Sequence, residues 1–184
     1  MTYARWLADR RATWSWSASW GLPLLIMVGA GLWAVVGSMF RELTTNLGSR
    51  ILAVVIVAPV VEEIMKVSLP MMVVETRPYF FKSGLQIALA ALAGGFAFGV
   101  LENLVYLNVY IENPSDTIRW IRWTFCLGGH IAWSSIAGIG VWRMWRHSMN
   151  TGARPDMTIA APWLMTAMIF HGLYNAGAIY YSMR

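Results

Sequence analysis

Between Ile51 and Val74 the chain is almost entirely apolar, yet Glu62, Glu63 and Lys66 stand in the middle of that run. On insertion scales each charged side chain at a helix centre costs about 2.5–3.5 kcal/mol, so three cost roughly 8–10 kcal/mol before any pairing. A helix surrounded by lipid has nothing to offset that cost. The segment must therefore turn its charged face toward other protein. Lys66 follows Glu62 by four residues and Glu63 by three, so one helix face can pair the ammonium with a carboxylate. One carboxylate is left over, and the rest of the chain has to answer it.

The surroundings of that run set the class. Of 184 residues, 58% are hydrophobic and 12% are charged, against about 25% charged in ordinary soluble domains. Apolar runs of twenty or more residues imply an all-α, polytopic membrane helical bundle with about five transmembrane helices. The 11 Trp and 7 Tyr suit the two bilayer interfaces. In such a chain the formal charge of +5 reads as a topology signal, and no nucleic-acid partner is expected. Cys126 is the only cysteine, which excludes a disulfide framework and a cysteine-based metal site. The first apolar run shows no small-residue cleavage site, so no cleavable signal peptide is expected.

The sequence predicts a single transmembrane helical domain over 1–184. Residues 1–20, with three Arg and four Trp, read as an interfacial lead, and 21–50 as an anchor span with its following connection. Residues 51–181 carry four further spans: 51–74, 84–111, 120–142 and 159–181. Pro59 and Pro70 fall inside the first of these, and each should free the carbonyl four residues earlier, at Val55 and Lys66. Gly95, Gly99 and Glu102 share one face of the next span, and a close helix approach at the glycines would carry Glu102 and Asn103 inward. His130 lies in the fourth predicted span, with Ser134 and Gly138 on its face. His171 and Asn175 share a face of the last. Segments 75–83, 112–119 and 143–158 read as loops, with His147 solvated in the last of them. Counting Arg and Lys with a cytoplasmic N-terminus gives eight inside and five outside, which favours that orientation in the cell membrane.

Four successive spans thus each bring a polar or ionisable group to similar depth: Glu62/Glu63/Lys66, Glu102/Asn103, His130 and His171/Asn175. Such groups inside a membrane mark function. Aspartyl intramembrane proteolysis is excluded, because Asp9, Asp116 and Asp156 all lie outside the spans. No two histidines have the four-residue spacing of a zinc-protease helix. Ser134 and Ser135 lack a glycine-rich elbow. A carboxylate base remains: in low-dielectric surroundings a glutamate becomes basic enough to take a proton from water, and His and Asn side chains can position that water and donate to an oxyanion.

The motif series Glu62-Glu63-x-x-Lys66, Phe98-x-x-x-Glu102-Asn103, His130 and His171-x-x-x-Asn175 resembles the PrsW family of intramembrane proteases. It is more distantly similar to the CAAX prenyl protease and bacteriocin-processing superfamily of glutamate-type intramembrane proteases. The resemblance covers about residues 51–181, a four-helix protease-like core. It implies an endopeptidase acting on a membrane-anchored protein or peptide within the lipid bilayer. Glu62 would be the water-activating base, Glu63 would pair with Lys66 or support the base, and His171 and Asn175 would be the oxyanion-side donors. The prenyl-protease relatives carry a histidine where this chain has Glu102, whereas the PrsW branch has Glu-Asn, as here. Glu102 and His130 then either share a proton with the first carboxylate or help hold a metal. The reading adopted is metal-free, with no cofactor; the alternative is zinc held by Glu62, Glu102, His130 and His171. Two other functions fit the same residues, a non-catalytic protease-fold subunit and a proton- or cation-translocating protein. The motifs leave substrate and oligomeric state open.

Overall fold

In a computed structural model, residues 1–15, scattered positions between 21 and 36, and residues 50–182 are described. Every regular element among them is helical. Helix α1 is Tyr3–Thr13, α2 Ala58–Thr76, α3 Gly84–Val105, α4 Asp116–Ile121, α5 Leu127–Thr151 and α6 Met157–Ser182. Three π-helical turns extend these elements: Ala53–Val57 leads into α2, Tyr106–Tyr110 continues α3, and Arg122–Cys126 joins α4 to α5. Among the described residues, three continuous helices are long and apolar enough to cross a membrane, Gly84–Tyr110, Asp116–Thr151 and Met157–Tyr181. The expected anchor span falls largely outside the described residues, as do its following connection and the end of the lead. Of the positions described there, Pro23, Ile26 and Ala30 are buried.

Helix α5 is the hub. It packs against α3 on one side and α6 on the other, and α2 contacts both α5 and α6. The contact with α3 is close because of Gly95. A Cβ at that position would stand 2.6 Å from the His130 carbonyl oxygen and 2.7 Å from Ser134 Oγ, closer than side chains approach. The apolar core occupies one end of the bundle: Val67, Met71 and Val74 of α2, Ile87 of α3, Trp133, Ala137, Val141 and Met144 of α5, and Ala160 and Ala167 of α6. In α2, α5 and α6 the ionisable groups lie about one turn further along, and in α3 they lie about four turns beyond Ile87. They therefore form a layer against the core and away from α1.

The helices outrun the apolar stretches at two places. Helix α5 continues through residues expected to be a loop, because Met144 and Ser148 keep a buried face while Arg143, Arg146 and His147 stay exposed. Backbone hydrogen bonding needs no apolar side chains once one face is covered. The chain beyond it spans only residues 152–156 before α6. Likewise α4 begins at Asp116, where the Ser115 hydroxyl accepts from the Ile118 N–H at 3.3 Å. Helix α1 lies across the core end: Trp6 meets Tyr79 edge-on, Trp14 stacks on Phe80 at 4.2 Å, and Lys82 Nζ donates to the Arg11 carbonyl.

Candidate active site

Glu63 and Lys66 form a buried ion pair, with Lys66 Nζ 2.6 Å from Glu63 Oε1 and both side chains wholly inaccessible. The same ammonium donates to His130 Nδ1 at 2.8 Å and sits 4.5 Å from the centre of the Phe98 ring. Glu63 Oε1 also accepts from His171 Nδ1 at 2.9 Å. His130 Nε2 lies 2.8 Å from Glu102 Oε2, which Arg122 approaches to 3.2 Å. Asn103 anchors that arginine by donating to its backbone carbonyl at 2.8 Å and accepting from its Nε at 3.1 Å. Groups from α2, α3, the third π turn, α5 and α6 are thus linked in one network.

The network assigns both histidine tautomers. An ammonium has only donors, so His130 Nδ1 must be bare and Nε2 carries the proton donated to Glu102. Glu63 accepts from His171 Nδ1, so a neutral His171 has a bare Nε2. That nitrogen is 3.8 Å from Glu62 Oε2. His171 is held in this orientation by stacking on Trp133, with ring centres 4.2 Å apart and planes 11° from parallel.

Glu62, Glu102, His130, His171 and Asn175 all line one cavity of about 320 Å3. Val54, Tyr106, Arg122 and Cys126 also line it, so each π turn supplies at least one lining residue. Such turns re-aim side chains by one residue's rotation and recur at functional sites. Three carboxylates (Glu62, Glu63, Glu102) face two fixed cations (Lys66, Arg122). With both histidines neutral, one negative charge is in excess, which suits a bound cation or a transferable proton.

Ligand atoms of Glu62, His130 and His171 lie within 4.8 Å of one another, as do those of Glu102, Cys126 and His130. Tetrahedral zinc with bonds of about 2.0–2.2 Å places its ligand atoms about 3.4 Å apart. The 3.8 Å between Glu62 and His171 is within a few tenths of that. Glu63 beneath His171 Nδ1 is the outer carboxylate that metal-bound histidines commonly have. The spacing of the first donor set therefore fits a divalent metal; ligation through His130 Nε2 would require its proton to move to Nδ1 and the Lys66 ammonium to turn away from that nitrogen.

A model of the PrsW family intramembrane metalloproteases matches residues 10–184, nearly the whole chain. The chain belongs to the PrsW family. No curated protein and no solved structure matches it. Membership makes it a membrane protein with the role of an intramembrane protease, and the family description carries a metal that the adopted sequence reading did not.

Every site residue expected from the sequence lies in the cavity wall or in the network behind it. Glu62, Glu102, His130, His171 and Asn175 line the cavity, while Glu63, Lys66 and Asn103 are buried behind it. Sequence reasoning used Arg122 only to count charge and made no site residue of Cys126. Their spacing of four residues from each other, and of Cys126 from His130, was the available signal. Asn175 has an unexpected partner, the Val54 carbonyl, to which its Nδ2 donates at 2.9 Å.

Proposed function

We propose that this PrsW-family chain is an endopeptidase of the cell membrane that hydrolyses a peptide bond of a membrane-anchored protein or peptide, with Glu62 as the base that takes the proton from the attacking water. The observation that carries the reading is the convergence of Glu62, Glu102, His130 and His171 on one cavity from four separate elements. Lys66 and Arg122 neutralise Glu63 and Glu102, and the excess negative charge falls to Glu62, beside the bare nitrogen of His171. In the metal-free form a protonated His171 Nε2–H is the donor available to a developing oxyanion, because the His130 Nε2–H is engaged by Glu102. A zinc ion or similar divalent metal would be held by Glu62, His130 and His171. It would supply Lewis-acid polarisation of the water and of the scissile carbonyl.

The test compares membrane proteomes of cells producing the wild-type chain and Glu62→Gln, scored for membrane proteins that lose an extracytoplasmic fragment. Fragments that appear with wild type and vanish with the variant are expected. Equal fragment patterns would overturn the reading. Loss of cation flux in proteoliposomes, with no change in fragments, would put translocation in its place. On the purified protein, 1,10-phenanthroline is expected to abolish cleavage of a substrate so identified, and added zinc to restore it. Unchanged cleavage with no bound metal would leave the glutamate-only mechanism.

A further inference from the structure

We infer that Asn175 is a positioning residue whose side-chain amide replaces the backbone N–H that Pro59 lacks, fixing the turn from which Glu62 and Glu63 project. The inference rests on the proposed hydrolytic role of that cavity for its consequence, though not for its geometry. In the π turn Ala53–Val57, hydrogen bonds run five residues back, and the Ala58 N–H bonds the Ala53 carbonyl. The next donor in that register is residue 59 and the next acceptor is the Val54 carbonyl. Proline has no N–H, so Val54 is the carbonyl left open. The π register moves the vacancy one residue back from Val55, where a regular α-helix would put it. Asn175 Nδ2 fills it at 2.9 Å.

Helix α6 is built to deliver that amide. A Cβ on Gly172 would stand 2.6 Å from the Val55 carbonyl oxygen, so only glycine lets α6 lie this close to the turn. Three neighbours on α6 then grip the start of α2: His171 bonds Glu63, Gly172 abuts Val55 and Asn175 bonds Val54. Glu62 and Glu63 come three and four residues after Pro59. Relaxing the π turn to α geometry removes one residue from it and rotates α2 relative to the chain before the turn by about 100°. Both carboxylates would leave their present partners. The rival role is direct: Asn175 donates to the oxyanion and its bond to Val54 is incidental.

The two roles separate in a double-mutant cycle with Pro59→Ala, because with alanine at 59 the Val54 carbonyl has an intrahelical donor in either register, the residue 59 N–H in the π register and the Ala58 N–H in the α register. The first readout is the thermal unfolding midpoint of the purified full chain in detergent, which needs no activity. Asn175→Ala is expected to lower it in the wild-type background and to leave it unchanged in the Pro59→Ala background. Equal lowering in both backgrounds would overturn the inference. The second readout is cleavage: Asn175→Ala should lose about tenfold or more, and Pro59→Ala/Asn175→Ala should return to within about threefold of Pro59→Ala alone. Restored stability without restored cleavage would assign Asn175 to the oxyanion instead. Should the wild type cleave nothing, the hydrolytic reading falls while the unfolding midpoints still decide the latch. Asn175→Leu, of similar size with no donor, is expected to match Asn175→Ala in midpoint; a wild-type midpoint would overturn the inference even if Pro59→Ala does not fold.

Discussion

Lys66 ties the site together. Its ammonium is fully buried, bonded to Glu63 and His130 and set over Phe98. An uncompensated charge in such a place is far costlier than a compensated one, so removing either partner is worse than removing both. Lys66→Met is expected to destabilise the protein by about 3–5 kcal/mol, read as a lowered unfolding midpoint in detergent. Adding Glu63→Gln should recover most of that loss, and a double variant no more stable than Lys66→Met would show that the pair is not the cause. Lys66 also dictates which His130 nitrogen carries the proton. Its replacement should therefore reduce cleavage more than a surface substitution of equal stability cost. At Glu62, where the side chain can keep its size, Glu62→Gln should preserve the unfolding midpoint to within about 1 kcal/mol while cleavage falls by about 10²–10⁴-fold.

Among the elements, the contact between α3 and α5 decides whether Glu102 reaches His130. Gly95 permits that contact, since a side chain there would meet the His130 carbonyl and Ser134. Gly95→Leu is expected to separate the two helices, cost about 1–3 kcal/mol and abolish most cleavage. Gly128→Ala is the control: its Cβ would meet nothing within 4 Å. That substitution should be neutral or stabilising by up to about 1 kcal/mol, through helix propensity alone. Equal damage from both substitutions would mean that helix flexibility, and not close approach, is what the glycines provide. The three π turns belong to the same scale. Each adjoins a helix that carries a site group, and each places a residue of its own on the cavity wall.

For the whole molecule, the packing brings the basic segments to one end. Tyr3 approaches Ser148 and the Arg154 guanidinium lies 5.9 Å from the Tyr3 ring, while Lys82 bonds Arg11. Helix α1, the connections after α2 and α5 and the last turns of α5 therefore share a side, and together they hold the eight Arg and Lys counted as inside. The expected outcome is that a membrane-impermeant maleimide applied to intact cells labels Glu112→Cys but not Ala153→Cys, each in a Cys126→Ser background. The reverse labelling would invert the orientation.

The helical class, the four motif-bearing segments and the common depth of Glu62, Glu102, His130 and His171 were legible in the chain, because in lipid the cost of burying a charge makes every such residue conspicuous by its number alone. Helix periodicity placed His171 with Asn175, and Gly95 with Glu102, on single faces before any packing was known. Pairings across the bundle were not legible. The Glu63–Lys66 pair within α2 was expected from its spacing, but that Lys66 also takes His130, that Arg122 answers Glu102, and that Asn175 reaches Val54 all depend on helix azimuth. Pro59 announces a missing donor but not which carbonyl goes without, since one extra residue in the turn moves the vacancy from Val55 to Val54. Local sequence determined what had to be buried; the close packing of α3, α5, α6 and the turn before α2 decided which partner met each group, because only helices pressed together at glycine bring those atoms within hydrogen-bonding distance.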